Sequence, residues 1–324
     1  MKTLILTEGG KDVGFGHLSR CVALSQAIKE RDGTAEIKFI VDGDTGAAGF
    51  LKGEKANSVS FLDWREKESR TAEAAQRSDM VIIDSYLAEK PLYDSVSDAT
   101  GGRVLMIDDY NRVEYPKGMV VNPSVFAERM DYPRRDGTVY FLGKEYIILR
   151  KEFWDIPEKE IKREIRNVLV TFGGMDNSGL LRNIVEYLRP KFNFHFNMID
   201  VRKGRVSTRT MLDMMLAADL CISAGGQTTY ELARVGVPAV GICFAENQKF
   251  NLKGLQEGGF IEYAGWFNAP DLPSKVSGSI ARLADHGERV ERSRAGKNLV
   301  SGNGAKTIAK TMFDRLKETD EREA

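Results

Sequence analysis

Cysteine, histidine and tryptophan are all scarce in this 324-residue chain, three of each, and the charges cancel, with 47 Lys plus Arg against 47 Asp plus Glu. Each scarcity excludes something. Cys21, Cys221 and Cys243 are too few and too scattered for a disulfide framework or a metal knuckle. They read as free core thiols in a reducing compartment. The balanced charge gives no cue for a polyanion, so nucleic acid is not among the expected partners. No apolar run approaches the ~20 residues of a membrane-spanning helix. The opening MKTLILTEGG is too short for the apolar region of a secretory signal. The expectation is a cytoplasmic protein with no stable membrane insertion.

What is present is an alternation of short apolar runs with longer amphipathic ones. The length implies two domains of roughly 150 residues, and 42% apolar with 29% charged residues fits an ordinary globular chain. TLILTE, AEIKFIVD, DMVIIDSY, RVLMIDDY and GMVVNPS read as strands. GHLSRCVALSQAIKERDG, SRTAEAAQRS and YDSVSDATGG read as the helices among them. The charged stretch LGKEYIILRKEFWDIPEKEIKREIRN breaks the rhythm, and its Glu158–Arg166 part is expected to be a solvated helix face. The alternation restarts with NVLVTFGGMDNSGLLRNIVEYLR and continues through FHFNMID, TMLDMMLAAD, LCISAGGQTTYELARVG and PAVGICF. Strands spaced by helices imply right-handed crossovers and parallel sheets. The expected class is α/β, two Rossmann-like domains at 1–150 and 151–324, with the last helix a candidate to return to the first domain.

Parallel sheets bind ligands beyond the carboxyl ends of their strands, and the chemically rich residues follow the apolar runs. Gly14, Gly16, His17 and Arg20 come after the first; Asp84, Ser85 and Tyr86 after a later one; then Asp108 and Asp109. In the second half Gly173, Gly174 and Asp176 follow one strand, and Ser223, Gly225, Gly226 and Thr228 follow another. A glycine turn entering a helix can bring backbone amides to an anion. Such a turn marks a tight connection about as often. Neither turn carries the lysine of a P-loop or the spacing of a dinucleotide fingerprint. Thr228 to Glu231 fits a helix-capping box as well as a ribose contact.

SAGGQTTYELARVGVPAVGICFAENQ resembles the nucleotide-binding region of glycosyltransferases of the B-type fold, the peptidoglycan N-acetylglucosaminyl transferase being the relevant relative. The resemblance implies Gly225, Gly226 and Thr228 at the diphosphate, Glu231 at ribose, Ile242 near uracil, and Asn247 and Gln248 toward the sugar. It also implies two domains facing across a cleft.

GFGHLSRCVALSQAI, with DSY, DDY, NPS, FGGMD and AENQ in order, is similar to the UDP-sugar hydrolases of pseudaminic acid biosynthesis and their spore-coat polysaccharide homologues. That family cleaves UDP-2,4-diacetamido-2,4,6-trideoxy-β-L-altropyranose. The resemblance implies a small-molecule UDP-sugar as partner, no cofactor and no metal, and His17 as catalytic base. An imidazole can take a proton from water at neutral pH, and water attack at the sugar C1 with UDP leaving would invert the anomeric centre. On spacing alone His17 reads more readily as a helix-start residue with a local hydrogen bond. Two other readings accompany hydrolysis: a glycosyltransferase with a saccharide or lipid-linked acceptor, and a nucleotide-sugar-binding protein without turnover.

The remaining residues carry plainer expectations. Asp42-Gly43-Asp44 mimics a metal-binding D-x-D but reads as a loop of turn formers. Asp84, Asp108 and Asp109 are expected to hydrogen bond the sugar rather than form a cation site, and Tyr86 to stack or hydrogen bond there, although a tyrosine at a strand end more often packs. His195, alternating with aromatics, is expected to be structural, and His286 to sit solvated in a polar loop.

Overall fold

The computed structural model describes residues 1–10, 13–52, 56–173, 178–200, 202 and 206–323. The chain divides into two compact units, Met1–Lys151 with Asn303–Ala324, and Glu152–Gly302.

In the first unit β1 (Lys2–Gly9), α1 (Gly16–Arg31), β2 (Glu36–Gly43), α2 (Thr45–Leu51), β3 (Ser58–Phe61), α3 (Glu68–Gln76), β4 (Met80–Asp84), α4 (Lys90–Thr100), β5 (Val104–Ile107), β6 (Gly118–Asn122) and β7 (Thr138–Leu142) follow in turn. The seven strands lie in the order β3-β2-β1-β4-β5-β6-β7, each pair parallel. Central strands covered on both faces need continuous apolar runs rather than alternation. β1 and β4 have them, with seven of eight and five of five residues buried. α1 ends where Lys29 and Arg31 in its last turn complement the helix dipole.

Chain order reverses between β1 and β4. β2 and β3 extend one way from β1, and β4 to β7 the other. In doubly wound sheets this reversal opens the ligand crevice at the strand carboxyl ends. The loop after β1, the start of α1 and the end of β4 border that reversal.

The second unit holds β8 (Asn167–Thr171), α5 (Ser178–Leu188), β9 (His195–Met198), α6 (Thr208–Ala217), β10 (Leu220–Ala224), α7 (Thr228–Val235), β11 (Ala239–Cys243), α8 (Glu246–Glu257), β12 (Ile261–Trp266), α9 (Leu272–Arg282) and α10 (His286–Leu299). Its parallel sheet runs β12-β11-β10-β8-β9, with the reversal between β8 and β10. α11 (Gly304–Glu323) belongs to the first unit. There Lys306 meets Glu30 at 3.0 Å, and the Arg31 guanidinium lies 5.4 Å from the Phe313 ring centre.

Three expectations need correction. Glu158–Arg166 forms no helix. Lys159 in it is buried, donates to the Leu216 carbonyl at 2.7 Å, and is pushed down to about 8 by burial. Asp42-Gly43-Asp44 is not a free loop: Asp42 and Gly43 finish β2, and Asp44 caps α2 by accepting from the Gly46 and Ala47 amides at 2.9 and 3.0 Å. His286 opens α10 behind the Asp285 cap and hydrogen bonds the Ile161 carbonyl at 3.0 Å. His195, at the start of β9, is exposed.

Candidate functional site

The first unit gathers a set of buried charges at its sheet reversal. Leu18, Cys21, Val22, Leu24, Ala27 and Ile28 of α1 pack inward, which fixes the rotation of the first turn. His17 then faces the end of β4, and its Nδ1 lies 2.6 Å from Asp84 Oδ1. Arg20, one turn on, grips two carboxylates. Its Nε donates to Asp84 Oδ2 at 3.0 Å and Nη2 to Asp84 Oδ1 at 2.7 Å, while Nη1 reaches both oxygens of Asp109 at 2.6 and 2.9 Å. The Tyr86 hydroxyl also donates to Asp109. The Tyr86 ring stands edge-on to the imidazole, 84° between planes and 4.3 Å between centres.

Burial works against the Asp84 carboxylate, but the Arg20 charge and then His17 overcome it and hold Asp84 below the usual carboxylate range. For Arg20, burial likewise opposes the charge, and Asp109 followed by Asp84 outweighs it, leaving the guanidinium firmly protonated. Cys21, behind the pair, is pushed well up by burial and by Asp84, so it remains a thiol.

The protonation pattern follows. An ionised carboxylate oxygen 2.6 Å from Nδ1 places the proton on Nδ1, since two acceptors would repel at that distance, and Arg20 Nη2, 3.2 Å from the same nitrogen, then directs its hydrogen to Asp84 Oδ1 at 2.7 Å. In neutral His17 the lone pair is then on Nε2. A ring oriented by a carboxylate with its second nitrogen free is the arrangement of a general base.

Glu8, the penultimate residue of β1, is a site residue that the sequence analysis passed over. It is 1% exposed. Its Oε2 accepts from Ser85 Oγ at 2.5 Å and its Oε1 from the Tyr86 amide at 2.8 Å. Oε1 also stands 3.9 Å from His17 Nε2. The readable signal was a carboxylate at the buried end of an apolar strand, directly before Gly9-Gly10. Gly14 and Gly16 do not join the charges. Gly10 and Gly14 exchange backbone hydrogen bonds at 3.0 and 2.8 Å, Gly14 adopts a left-handed φ of 77°, and Gly16 begins α1. They shape the turn that delivers His17. Asp108 serves the neighbouring loop, accepting from the Tyr132 hydroxyl and, at 2.6 Å, from the Asn111 amide.

In the second unit the expected residues divide. Gly226 and Thr228 stand at the start of α7, where the Thr229 and Tyr230 amides turn back to the Gly226 and Gln227 carbonyls at 3.0 and 3.1 Å. The cap position is Gln227, with no side-chain capping bond, so the Thr228–Glu231 capping box does not form. Gly225 holds the turn to β11, its amide donating to the Ile242 carbonyl at 3.0 Å. Ile242 itself is fully buried and belongs to the core, and its carbonyl is engaged by the Gly225 amide. Ser223 is buried as well, donating to the Ala224 carbonyl at 3.0 Å. Glu231 lies in the first turn of α7 but is only 1% exposed. Asn247 and Gln248 begin α8, and Gln248 Oε1 accepts the Phe244 amide at 3.0 Å. Asn251, unassigned from sequence, donates to the Gly225 carbonyl at 2.7 Å and Thr229 Oγ1 at 3.0 Å, tying α8 to the glycine turn. Gly173 follows β8 with a left-handed φ of 76°. Gly174 and Asp176 lie outside the described residues.

No family model matches the chain. Among curated proteins it is 25% identical over 305 residues to an uncharacterized protein of Methanocaldococcus jannaschii, covering 81% of this chain and 62% of that one. It is 22% identical to the Bacillus subtilis spore coat polysaccharide biosynthesis protein SpsG, over 96% of this chain and 97% of the relative. It is 25% identical to a Helicobacter pylori pseudaminic acid cytidylyltransferase and UDP-2,4-diacetamido-2,4,6-trideoxy-β-L-altropyranose hydrolase, over 81% of this chain and 48% of that one. The chain thus spans about half to two thirds of the length of two of these relatives. Among solved structures it is similar to Acinetobacter baumannii MurG, TM-score 0.67 at 14% identity over 97% of this chain and all of that one. It is also similar to the spinosyn rhamnosyltransferase SpnG, TM-score 0.62 at 12% identity over 97% and 100%. The fold is that of the B-type glycosyltransferases, two Rossmann-like α/β domains. Among the described residues no helix is long and apolar enough to cross a membrane.

Proposed function

We propose that the chain hydrolyses a UDP-linked deoxy-amino sugar, of the 2,4-diacetamido-2,4,6-trideoxy type or close to it, at the anomeric carbon. The observation that carries this reading is the His17–Asp84 pair, 2.6 Å apart at the sheet reversal, with Nε2 left as acceptor. In the reaction His17 Nε2 takes a proton from water as the water oxygen bonds to C1. The C1–O bond to the diphosphate breaks on the opposite face, and its electron pair leaves with UDP. Asp84 stabilises the imidazolium, and Arg20 with Asp109 keeps Asp84 in place. The first domain would supply the base. The second would hold UDP, with the α7 amino terminus at Gly226 and Thr228 meeting the diphosphate and stabilising its developing charge. Asn247 and Gln248 on α8 would face the sugar end. Two relatives' names support the assignment to surface-polysaccharide and nonulosonic acid chemistry.

A second reading is favoured by the solved structures, which are glycosyltransferases: the same base would deprotonate an acceptor hydroxyl. The test is UDP release from the UDP-linked diacetamido sugar with no acceptor present, the anomeric configuration of the product being followed by proton NMR. Hydrolysis predicts prompt UDP and an inverted free sugar with the wild type, and none with His17→Asn. UDP formed only when an acceptor is added establishes the transferase, and UDP bound without turnover under either condition establishes a binding protein.

A further inference from the structure

His17 has a carboxylate on each side of its ring. Asp84 takes the Nδ1 edge at 2.6 Å; Glu8 Oε1 stands off Nε2 at 3.9 Å, too far for a direct hydrogen bond. The gap has a definite size. An oxygen placed about 2.8 Å from both Nε2 and Oε1, which are 3.9 Å apart, subtends an angle of about 90° between them. A water molecule can therefore direct one hydrogen at each, at nearly its own internal angle, with its lone pairs left over. An alcohol has one hydrogen and cannot satisfy both acceptors.

Glu8 is held for this position. Ser85 Oγ and the Tyr86 amide fix its two oxygens, and both donors lie directly beyond Asp84 on the same strand end. The carboxylate is buried at 1% exposure, and Tyr86, whose amide fixes Oε1, also packs its ring edge on His17. Among the described residues Glu8 accepts from two neutral donors, and burying a carboxylate on these carries a desolvation cost that packing alone does not require. Retaining it next to the free nitrogen of a histidine gives it a chemical task.

We propose that Glu8 positions the attacking water and selects water over hydroxyl acceptors. This rests on the hydrolytic reading above. In the step, the hydrogen aimed at Nε2 passes to His17 as the water oxygen bonds to C1 and UDP departs. The hydrogen aimed at Glu8 stays on the oxygen and becomes the anomeric hydroxyl proton of the sugar. Glu8 gains and loses no proton; it orients.

The test is a product ratio in the full-length protein. Wild type, Glu8→Met and Glu8→Gln are given the UDP-linked diacetamido sugar in buffer containing methanol, and methyl glycoside is measured against free sugar. Met keeps the length and removes the acceptor, so the ratio should rise at least about tenfold, the equivalent of one hydrogen bond to a charged group. Gln keeps an acceptor without the charge and should fall between. KM should change far less than kcat. The ratio is independent of how much of a variant is folded, so instability cannot mimic or hide the effect. A wild type that hydrolyses, with a ratio unchanged in Glu8→Met, overturns the role of Glu8 and leaves hydrolysis standing. A wild type that releases no UDP overturns both.

Discussion

His17 Nδ1 and Asp84 Oδ1 lie 2.6 Å apart although 67 residues separate them in sequence, so the helix after β1 and the end of β4 meet through a proton. That proton sets the tautomer. Asp84→Asn keeps the shape but can turn an amide N–H toward Nδ1, which moves the ring proton to Nε2 and removes the base. UDP release should fall ~10²–10⁴-fold, while UDP binding measured by calorimetry stays within a few-fold of wild type. Near wild-type turnover in this variant would show that the lone pair on Nε2 is not used.

Asp84 also makes stability depend on pH in a stated direction. Its carboxyl is held below the usual range in the folded chain by Arg20 and His17 against burial. In the unfolded chain it returns to about 3.9. The folded state therefore binds fewer protons, and the stabilisation is complete above about pH 4. It is lost as pH falls through the lower, folded-state value. Urea midpoints for wild type and Asp84→Asn should differ most near neutrality, begin to converge as pH falls below about 4, and close as it passes the lower folded-state value. A gap that stays constant into acid would show that Asp84 is not ionised in the fold.

Arg20 is the structural keystone of the same cluster. The residue is 7% exposed, and its guanidinium donates to both Asp84 and Asp109. Lysine brings one ammonium, which cannot span two carboxylates in a fixed fork. Arg20→Lys should cost ~3–5 kcal/mol by leaving buried charge uncompensated, read as a lower urea midpoint at unchanged slope. Loss of UDP release should accompany it, because Asp84 would no longer hold one orientation.

The fold was legible because doubly wound sheets write themselves in the one-dimensional pattern. LIL within TLILTE and MVII within DMVIID are apolar runs flanked by polar residues, and buried parallel strands require such runs. His17, Arg20, Asp84, Tyr86 and Asp109 were legible as strand-end residues, since each follows such a run. Their mutual geometry was not, because it depends on β4 lying beside β1, a long-range pairing that no local period encodes. Glu8 was missed for a related reason: inside an apolar strand a single carboxylate reads as a boundary, and only the Ser85 and Tyr86 donors reveal its purpose. Lys159 misled in the opposite sense. A dense charge run reads as solvated, yet the Leu216 carbonyl draws one member of it inward.

The glycine turn after β10 offers a test that separates packing from ligand approach. A Cβ on Gly225 would stand 2.6 Å from Leu252 Cδ1 and Cγ and 3.0 Å from Gln248 Cβ. Leu252 is fully buried, so Gly225→Ala must displace α8 side chains and should cost ~1–3 kcal/mol. A Cβ on Gly226 meets nothing within 4 Å, so Gly226→Ala should leave the urea midpoint nearly unchanged. If the diphosphate lies against this turn, the methyl of Gly226→Ala occupies the space that the phosphate oxygens need. UDP affinity should then fall ~10-fold or more while the fold is unaffected. Equal UDP affinity in Gly226→Ala and wild type would place the diphosphate elsewhere, and the amino terminus of α7 would then lose its assigned role.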